Sequence, residues 1–329
     1  MRQALRRTLL SAGLTLPWLV ASRGARSQEA FPARPVRLVV PYPPGASTDS
    51  MARALARELS RELKVSVVVE NRPGAGTTLG ALAVRNAPAD GYTLLFQVDG
   101  LYAGKLSSPG VAYEFGDFDI LSPLAQTPFV LVVSAASAIQ SMDDLKKRAA
   151  AKNGELDIGT LGLGLSHYQI LATNLGRHLG FTPKMIPYKG GVEGVTGVMG
   201  GEIDAYFATV SLAATLKNNP RARLLALTTG RGQSRFLPGV KTFPELGMPD
   251  VVYRSLYGVA IRSGTPPAIR ARLEQALLQV AQSPDMKAAR EAIALEDYPG
   301  TVDEYRQEVQ ANIRVHQAAK TLEGSARQQ

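Results

Sequence analysis

Short β-branched runs alternate with amphipathic stretches along this chain, and the first such pair is the most informative. Val36–Val40 reads as a strand buried within a parallel sheet. Met51, Leu55, Leu59 and Leu63 recur every four residues, which predicts a helix with one face packed on that sheet. Between the two, Pro41, Pro43 and Pro44 stiffen the connection and Gly45 permits a sharp turn. Ser47, Thr48 or Asp49 can cap the helix. A strand that ends in a small-residue loop under a helix N-terminus offers unpaired N–H groups to an anion. Residues 42–49 contain no Lys, Arg or His, so backbone dipoles and hydroxyls would have to hold that anion.

The alternation continues to the end of the chain. Further strands are predicted at 65–69, 93–98, 121–124, 130–134, 156–160, 184–187, 203–207, 223–227 and 257–261. Helices are predicted from about Leu79, Ser141 and His167, and over 192–199, 266–282 and 302–321. Gln126-Thr127-Pro128 separates two of the strand candidates, and glycine-rich turns occupy 71–77 and 161–166. This order predicts an α/β fold with parallel sheets, in a chain long enough for two lobes. Ligands of open α/β sheets lie beyond the carboxyl ends of strands. If the loops 42–49 and 161–167 belong to different lobes, two helix N-termini face one cleft. Two or three charge-assisted N–H···carboxylate bonds of about 1.5–3 kcal/mol each, with closure of the lobes, reach micromolar affinity, about 8 kcal/mol.

The N-terminus changes the reading of charge. Arg2, Arg6 and Arg7 precede an apolar stretch over 9–21, and Ala25-Arg26-Ser27 supplies small residues for cleavage before Gln28. Residues 1–27 read as a removed secretory signal peptide, the other reading being an uncleaved membrane anchor. The chain carries 37 Lys+Arg against 28 Asp+Glu, a net of +9. Five of the arginines and none of the acids lie in 1–27, so the mature chain falls to +4, which gives no support to nucleic-acid binding. There is no cysteine, hence no disulfide and no lipid-anchoring cysteine, and the one tryptophan is Trp18 inside the signal.

Catalytic readings fit poorly. Gly162-x-Gly164 lacks the third glycine of a dinucleotide fingerprint, and no Gly-Lys-Ser/Thr marks a phosphate loop. Gly164-Leu165-Ser166-His167-Tyr168 comes near a hydrolase nucleophile elbow, but Tyr168 stands at the last glycine. Ser166 and His167 diverge on a helix start, and only His178 and His316 remain as bases for a secreted hydrolase. Three scattered histidines and no cysteine make a poor metal set. No cofactor is expected. Asp204 can be a structural carboxylate.

Several segments together resemble one family. They are Pro35-Val36-Arg37-Leu38-Val39-Val40-Pro41-Tyr42-Pro43-Pro44-Gly45, Val69-Glu70-Asn71-Arg72-Pro73-Gly74-Ala75-Gly76, Asp90-Gly91-Tyr92-Thr93-Leu94-Leu95, Ser166-His167, Pro187-Tyr188-Lys189-Gly190, Gly200-Gly201-Glu202-Ile203-Asp204 and Phe243-Pro244-Glu245-Leu246-Gly247. In this order and spacing, over about residues 31–321, the chain resembles the solute-binding proteins of tripartite tricarboxylate transporters, the Bug or citrate-binding receptor family. The resemblance implies a two-lobe periplasmic-binding-protein fold of type II, each lobe a mostly parallel sheet flanked by helices. Lobe one would comprise 28–128 with 255–329 and lobe two 129–254, hinged near 127–130 and 253–257. It further implies a monomeric, non-enzymatic receptor that passes a small organic acid to a two-subunit membrane permease, or an orphan receptor serving signalling.

The expected binding residues are Tyr42, Gly45, Ala46, Ser47, Thr48 and Asp49 on one side, and Leu163, Gly164, Leu165, Ser166 and His167 on the other. Asp99 and Gly100, with Ala208 and Thr209 past a further strand, complete the set. The chain departs from the family pattern at Ala46, where a second glycine is usual, in the apolar Leu161, Leu163 and Leu165, at Leu256, where an aromatic usually precedes Tyr257, and at Asp99, where small residues are usual. Asp99 either faces the cleft or points to solvent, or caps the next helix. Facing the cleft, it would favour a ligand with a donor besides its carboxylate and disfavour citrate. Asp99→Asn is then expected to lose affinity for an amine-bearing acid and gain it for a plain diacid. Thermal shifts against both ligand types measure the change, and an unaltered ranking returns Asp99 to the surface.

Overall fold

The computed structural model describes residues 31–45, 47–96, 101, 104–105, 110–161, 167–230 and 234–326. The expected signal over 1–27 lies outside them. Strand β1 (Val36–Val40) runs parallel to β2 (Val67–Asn71) on one side and β3 (Thr93–Phe96) on the other. Next comes β9 (Arg254–Arg262), antiparallel to β3, and then β4 (Phe118–Ser134), antiparallel to β9. The every-four pattern holds: helix α1 (Ser47–Leu63) buries Met51, Leu55, Leu59 and Leu63 against Val36, Leu38 and Val40. Helix α2 (Thr78–Arg85) covers the other face through Ala81 and Val84. Burial of both faces is what writes β1 as a nearly unbroken apolar run.

A second core forms around the far end of β4. There β5 (Glu155–Leu161) lies parallel to β6 (Thr182–Tyr188) and β7 (Ala205–Thr209). Both β7 and β8 (Ala222–Leu227) are antiparallel to β4. Helices α3 (Met142–Ala151), α4 (His167–Leu179), α5 (Gly191–Gly200) and the single turn α6 (Val210–Ala214) enclose this half. Helices α7 (Pro267–Ala281) and α8 (Pro284–Ala292) return to the first core. The last helix, α9 (Val302–Ala326), lays Tyr305, Val309 and Ile313 on Leu256. Among the described residues the strand order is β2-β1-β3-β9-β4-β7-β5-β6, with β8 also on β4.

One expectation fails instructively. The two strands foreseen at 121–124 and 130–134 are a single strand, and Pro128 does not break it. Gln126 exchanges both backbone bonds with Glu296 (2.9 and 3.0 Å), so even-numbered positions here face away from β9. Pro128 shares that side, and its missing N–H removes no β4–β9 bond. The short helices α6 and α8 have no counterpart in the expected set, and predicted strand positions 97–98 lie outside the described residues.

The two cores meet where β4 changes partners, from Arg254 opposite Pro128 to Thr209 opposite Phe129. The chain returns beside this point between Tyr253 and Arg254. Thr228 ties both passages together. Its hydroxyl accepts from Phe129 N–H (2.9 Å) and donates to the Tyr253 carbonyl (2.5 Å). Its backbone N–H donates to the Phe129 carbonyl, and its carbonyl accepts from Tyr253 N–H. A second seam lies at 291–296, where Ser211 donates to the Ala294 carbonyl and Arg235 pairs with Glu291 at 2.9 Å.

At the opposite end of β7, Asp204 is buried and accepts from Arg148, Lys152 and Asp157 N–H. Burial raises its pKa, but these donors outweigh burial and hold it below the usual carboxylate range. It is structural, away from the crossing. Thr228→Val keeps the shape but leaves Phe129 N–H and the Tyr253 carbonyl without their side-chain partner. The expected cost is about 1–3 kcal/mol, measured as a lower urea midpoint with an unchanged slope.

Candidate functional site

Strand directions place the candidate site. β1 and β3 run the same way, and Phe96 at the carboxyl end of β3 lies opposite Val259, a few residues from the crossing at Arg254. On the other side β5 and β7 run together, and the last residue of β7, Thr209, pairs with Phe129 at the crossing. The carboxyl ends of the parallel strands of both halves therefore face the crossing from opposite sides. There β1 is followed by a loop and α1, and β5 by α4 as the next described element. The crossing strands form the floor.

The first loop is held by a compact polar knot. Asp49, third residue of α1, reaches back so that its Oδ2 accepts from Gly45 N–H (2.9 Å) and from Arg53 Nε (2.9 Å). Its Oδ1 accepts from Asn71 Nδ2 (2.9 Å), and the same amide donates to the Tyr42 carbonyl (3.0 Å). Asp49 is 3% exposed. Burial pushes its pKa up, but the bonds from Arg53, Gly45 and Asn71 prevail and hold the carboxyl below its ordinary range. Gly45 has φ +85°, and a Cβ there would meet nothing, so the backbone angle and not space calls for glycine. Gly80 of α2 is required by space: a Cβ would stand 2.7 Å from that of Pro41.

The start of α4 is anchored by aromatic packing. His167, first residue of α4, stacks on Tyr253 (4.9 Å between centroids, 10° between planes) and lies 4.7 Å from Phe129. Phe129 and Tyr253 belong to the two crossing passages, so α4 begins directly on the floor. Tyr168 and Tyr206 pack behind, 5.8 Å apart. Burial pushes Tyr206 up to about 12 and raises Tyr168 well above its ordinary value, so both phenols stay neutral at physiological pH.

The expected site residues separate into three groups. Tyr42, Gly45, Ser47, Thr48 and Asp49 lie at the start of α1, Thr48 and Asp49 both buried, and Asp49 is committed to the loop itself. His167, Ala208 and Thr209 gather at the crossing, where Thr209 also accepts from Leu212 N–H to cap α6. Ala46, Asp99, Gly100, Leu163, Gly164, Leu165 and Ser166 lie outside the described residues. Asn71, Arg53, Phe129 and Tyr253 were not among the expected residues. Arg53 was legible as the i+4 partner of Asp49, whereas Asn71 acts across 22 residues and carries no local signal. His178 ends α4 bonded to Asp250, about 16 Å of helix from its first residue. Among the described residues no group of three or more His, Cys, Asp or Glu could hold a metal.

Residues 51–321 match the model of the tripartite tricarboxylate transporter family receptor. The chain belongs to this family. Protein BugT of Bordetella pertussis is 35% identical over 271 residues, 82% of each chain. An R. palustris protein solved with adipate is 29% identical, with a TM-score of 0.72 over 88% of this chain and 98% of its own. A TctC solute-binding protein from Polaromonas shares the fold at 23% identity, with a TM-score of 0.73 over 90% of this chain and 99% of that one. The α/β fold of this receptor is thus the two-lobe periplasmic-binding-protein fold that its sequence resemblance implies.

The knot makes a pH-dependent contribution of known sign. Because the Asp49 pKa is lowered in the folded receptor, its stabilisation is complete above about pH 4 and is lost as pH falls through the lowered folded value. Asp49→Asn is expected to cost about 1–3 kcal/mol at neutral pH, read as a lower Tm by calorimetry, and to flatten the acid limb of Tm against pH. An unchanged neutral Tm would show that the knot does not stabilise the loop.

Proposed function

We propose that this receptor works in the periplasm, after loss of residues 1–27, and captures a small organic acid between its lobes for delivery to a two-subunit membrane permease. The observation that carries this reading is the convergence of two loop-to-helix junctions, one from each core, on one crossing of the chain. The adipate held by the R. palustris relative supports a carboxylate as the solute. Residues 28–128 with 255–329 would move as one lobe and 129–254 as the other. The pivots are the partner change at Pro128 and the return at Tyr253.

Donors are assigned by subtraction. Gly45 N–H is already bound to Asp49, so the first lobe would hold a carboxylate through the following N–H groups, 46–48, with the hydroxyls of Ser47 and Thr48. Asp49 and Asn71 position these donors. The second lobe would contribute Leu163, Gly164, Leu165, Ser166 and the start of α4 at His167, with Ala208, Thr209, Asp99 and Gly100 at the rim. Helix dipoles and N–H groups stabilise an anion without a general base, so the solute would leave unaltered, and one chain would suffice as a monomer.

A thermal-shift screen of the mature protein against linear mono-, di- and tricarboxylates tests this. A fitting acid at one hundred times its Kd stabilises by about 2.7 kcal/mol, a shift of several degrees. Ala46→Pro deletes one donor and fixes φ, and is expected to abolish the shift while the folded spectrum persists. Binding by Ala46→Pro at parental strength would move the anion away from this loop. Chemical change of the acid on incubation, above a heat-killed control, would favour the hydrolase reading.

A further inference from the structure

The outer edge of β2 and the flank of α1 offer an unpaired strand beside a basic groove, which reaches the Asp49 knot at one end through Arg53 and Asn71. Among the described residues β2 ends the sheet and pairs only with β1. Val36 N–H donates to the Ser66 carbonyl and Arg72 N–H to that of Val40, so the even-numbered positions of β2 face β1. Positions 67, 69 and 71 therefore face outward. Val67 N–H is taken by the Ser60 hydroxyl at 2.8 Å. The edge that remains presents the Val67 carbonyl, both backbone groups of Val69 and Asn71 N–H, the ladder a further strand needs.

Alongside runs a groove of about 810 Å³ between this edge and α1, lined by Arg53, Arg57, Ser60, Lys64, Val67 and Val68 among others, with no carboxylate in its lining. Arg57 and Lys64 are exposed and make no salt bridge among the described residues; Asp285, whose charge acts on Arg57, is itself held by Arg61. The two faces of the edge differ. Val67 and Val69 belong to the α1 side, where the cations stand. Val68, on the opposite face, is an apolar side chain 52% exposed.

We propose that this edge takes up an extended acidic segment of a partner protein as an added strand. Carboxylates at alternate positions of the segment meet Arg57 and Lys64, while apolar side chains between them cover Val68. Backbone pairing supplies affinity and the alternation supplies selectivity. A second copy of this chain fits badly: two-fold antiparallel pairing of β2 edges sets both α1 helices on one face and brings like charges together.

The probe is a fluorescein-labelled, end-blocked peptide Val-Glu-Val-Asp-Val-Glu-Val, followed by anisotropy with the purified protein. Saturable binding that weakens as salt rises is expected. N-methylation of alternate peptide amides on the pairing side should abolish it, and Arg57→Glu with Lys64→Glu should weaken it at least about tenfold. The organic-acid thermal shift of the double variant should stay at the parental value, which separates this surface from the cleft. No binding at millimolar peptide, or equal binding of the N-methylated peptide, overturns the proposal. Sedimentation of the protein as a dimer through this edge overturns it as well.

Discussion

Everything in this receptor that concerns a solute depends on one strand serving two cores. β4 pairs with β9 up to Pro128 and with β7 and β8 beyond it, and the ladder runs through a proline because the missing N–H falls on the side that β9 does not use. The return passage is bound to the first by Thr228 through side chain and backbone together. Two passages joined in this way resist sliding, because any slip breaks several buried hydrogen bonds at once. Rotation about them leaves these bonds intact, while the seam from Ser211 to Ala294 and from Arg235 to Glu291 would have to give. Hinge bending about the crossing is the motion that the proposed capture of a solute would use.

The first loop solves a related problem. The anion site proposed at the helix N–H groups would sit uneasily beside a buried carboxylate, yet Asp49 lies within the first turn of α1. Three donors satisfy it, and the Arg53 guanidinium offsets its charge. The local field stays close to neutral while the loop gains a fixed shape. On the other side the α4 start is fixed by rings instead of ions, with His167 against Tyr253 and Phe129. One junction is rigid through polar bonds and the other through stacking, and protonation of Asp49 removes the charge that holds the first.

The order of elements was legible because burial leaves periodic marks: β-branched runs where both faces are covered, and spacings of four along α1. The family pattern then supplied the lobes and loops. What escaped were features decided by partners distant in sequence. The continuity of β4 depends on which side of the strand Gln126 offers to Glu296, which no window around Pro128 contains. The role of Asn71 depends on Asp49 and Tyr42, and that of Thr228 on passages 99 and 25 residues away. Helix α6, five residues long, is too short to show a period. Asp49 itself was rightly placed at the loop, but its chemistry was readable only with Arg53 and Asn71 in view.

The position of β9 in the first sheet sets a timetable for the chain. β3 and β4 are joined there only through β9, which begins about 120 residues after β4 ends. Between them comes the whole of the second core. As the polypeptide emerges N-terminus first, β1, β2 and β3 wait without their fourth strand while the later half has every strand it needs. The half that is first in sequence is thus the last to close, and its core stays incomplete until residues beyond Arg254 arrive. Premature collapse of its first hundred residues would have no native sheet to reach.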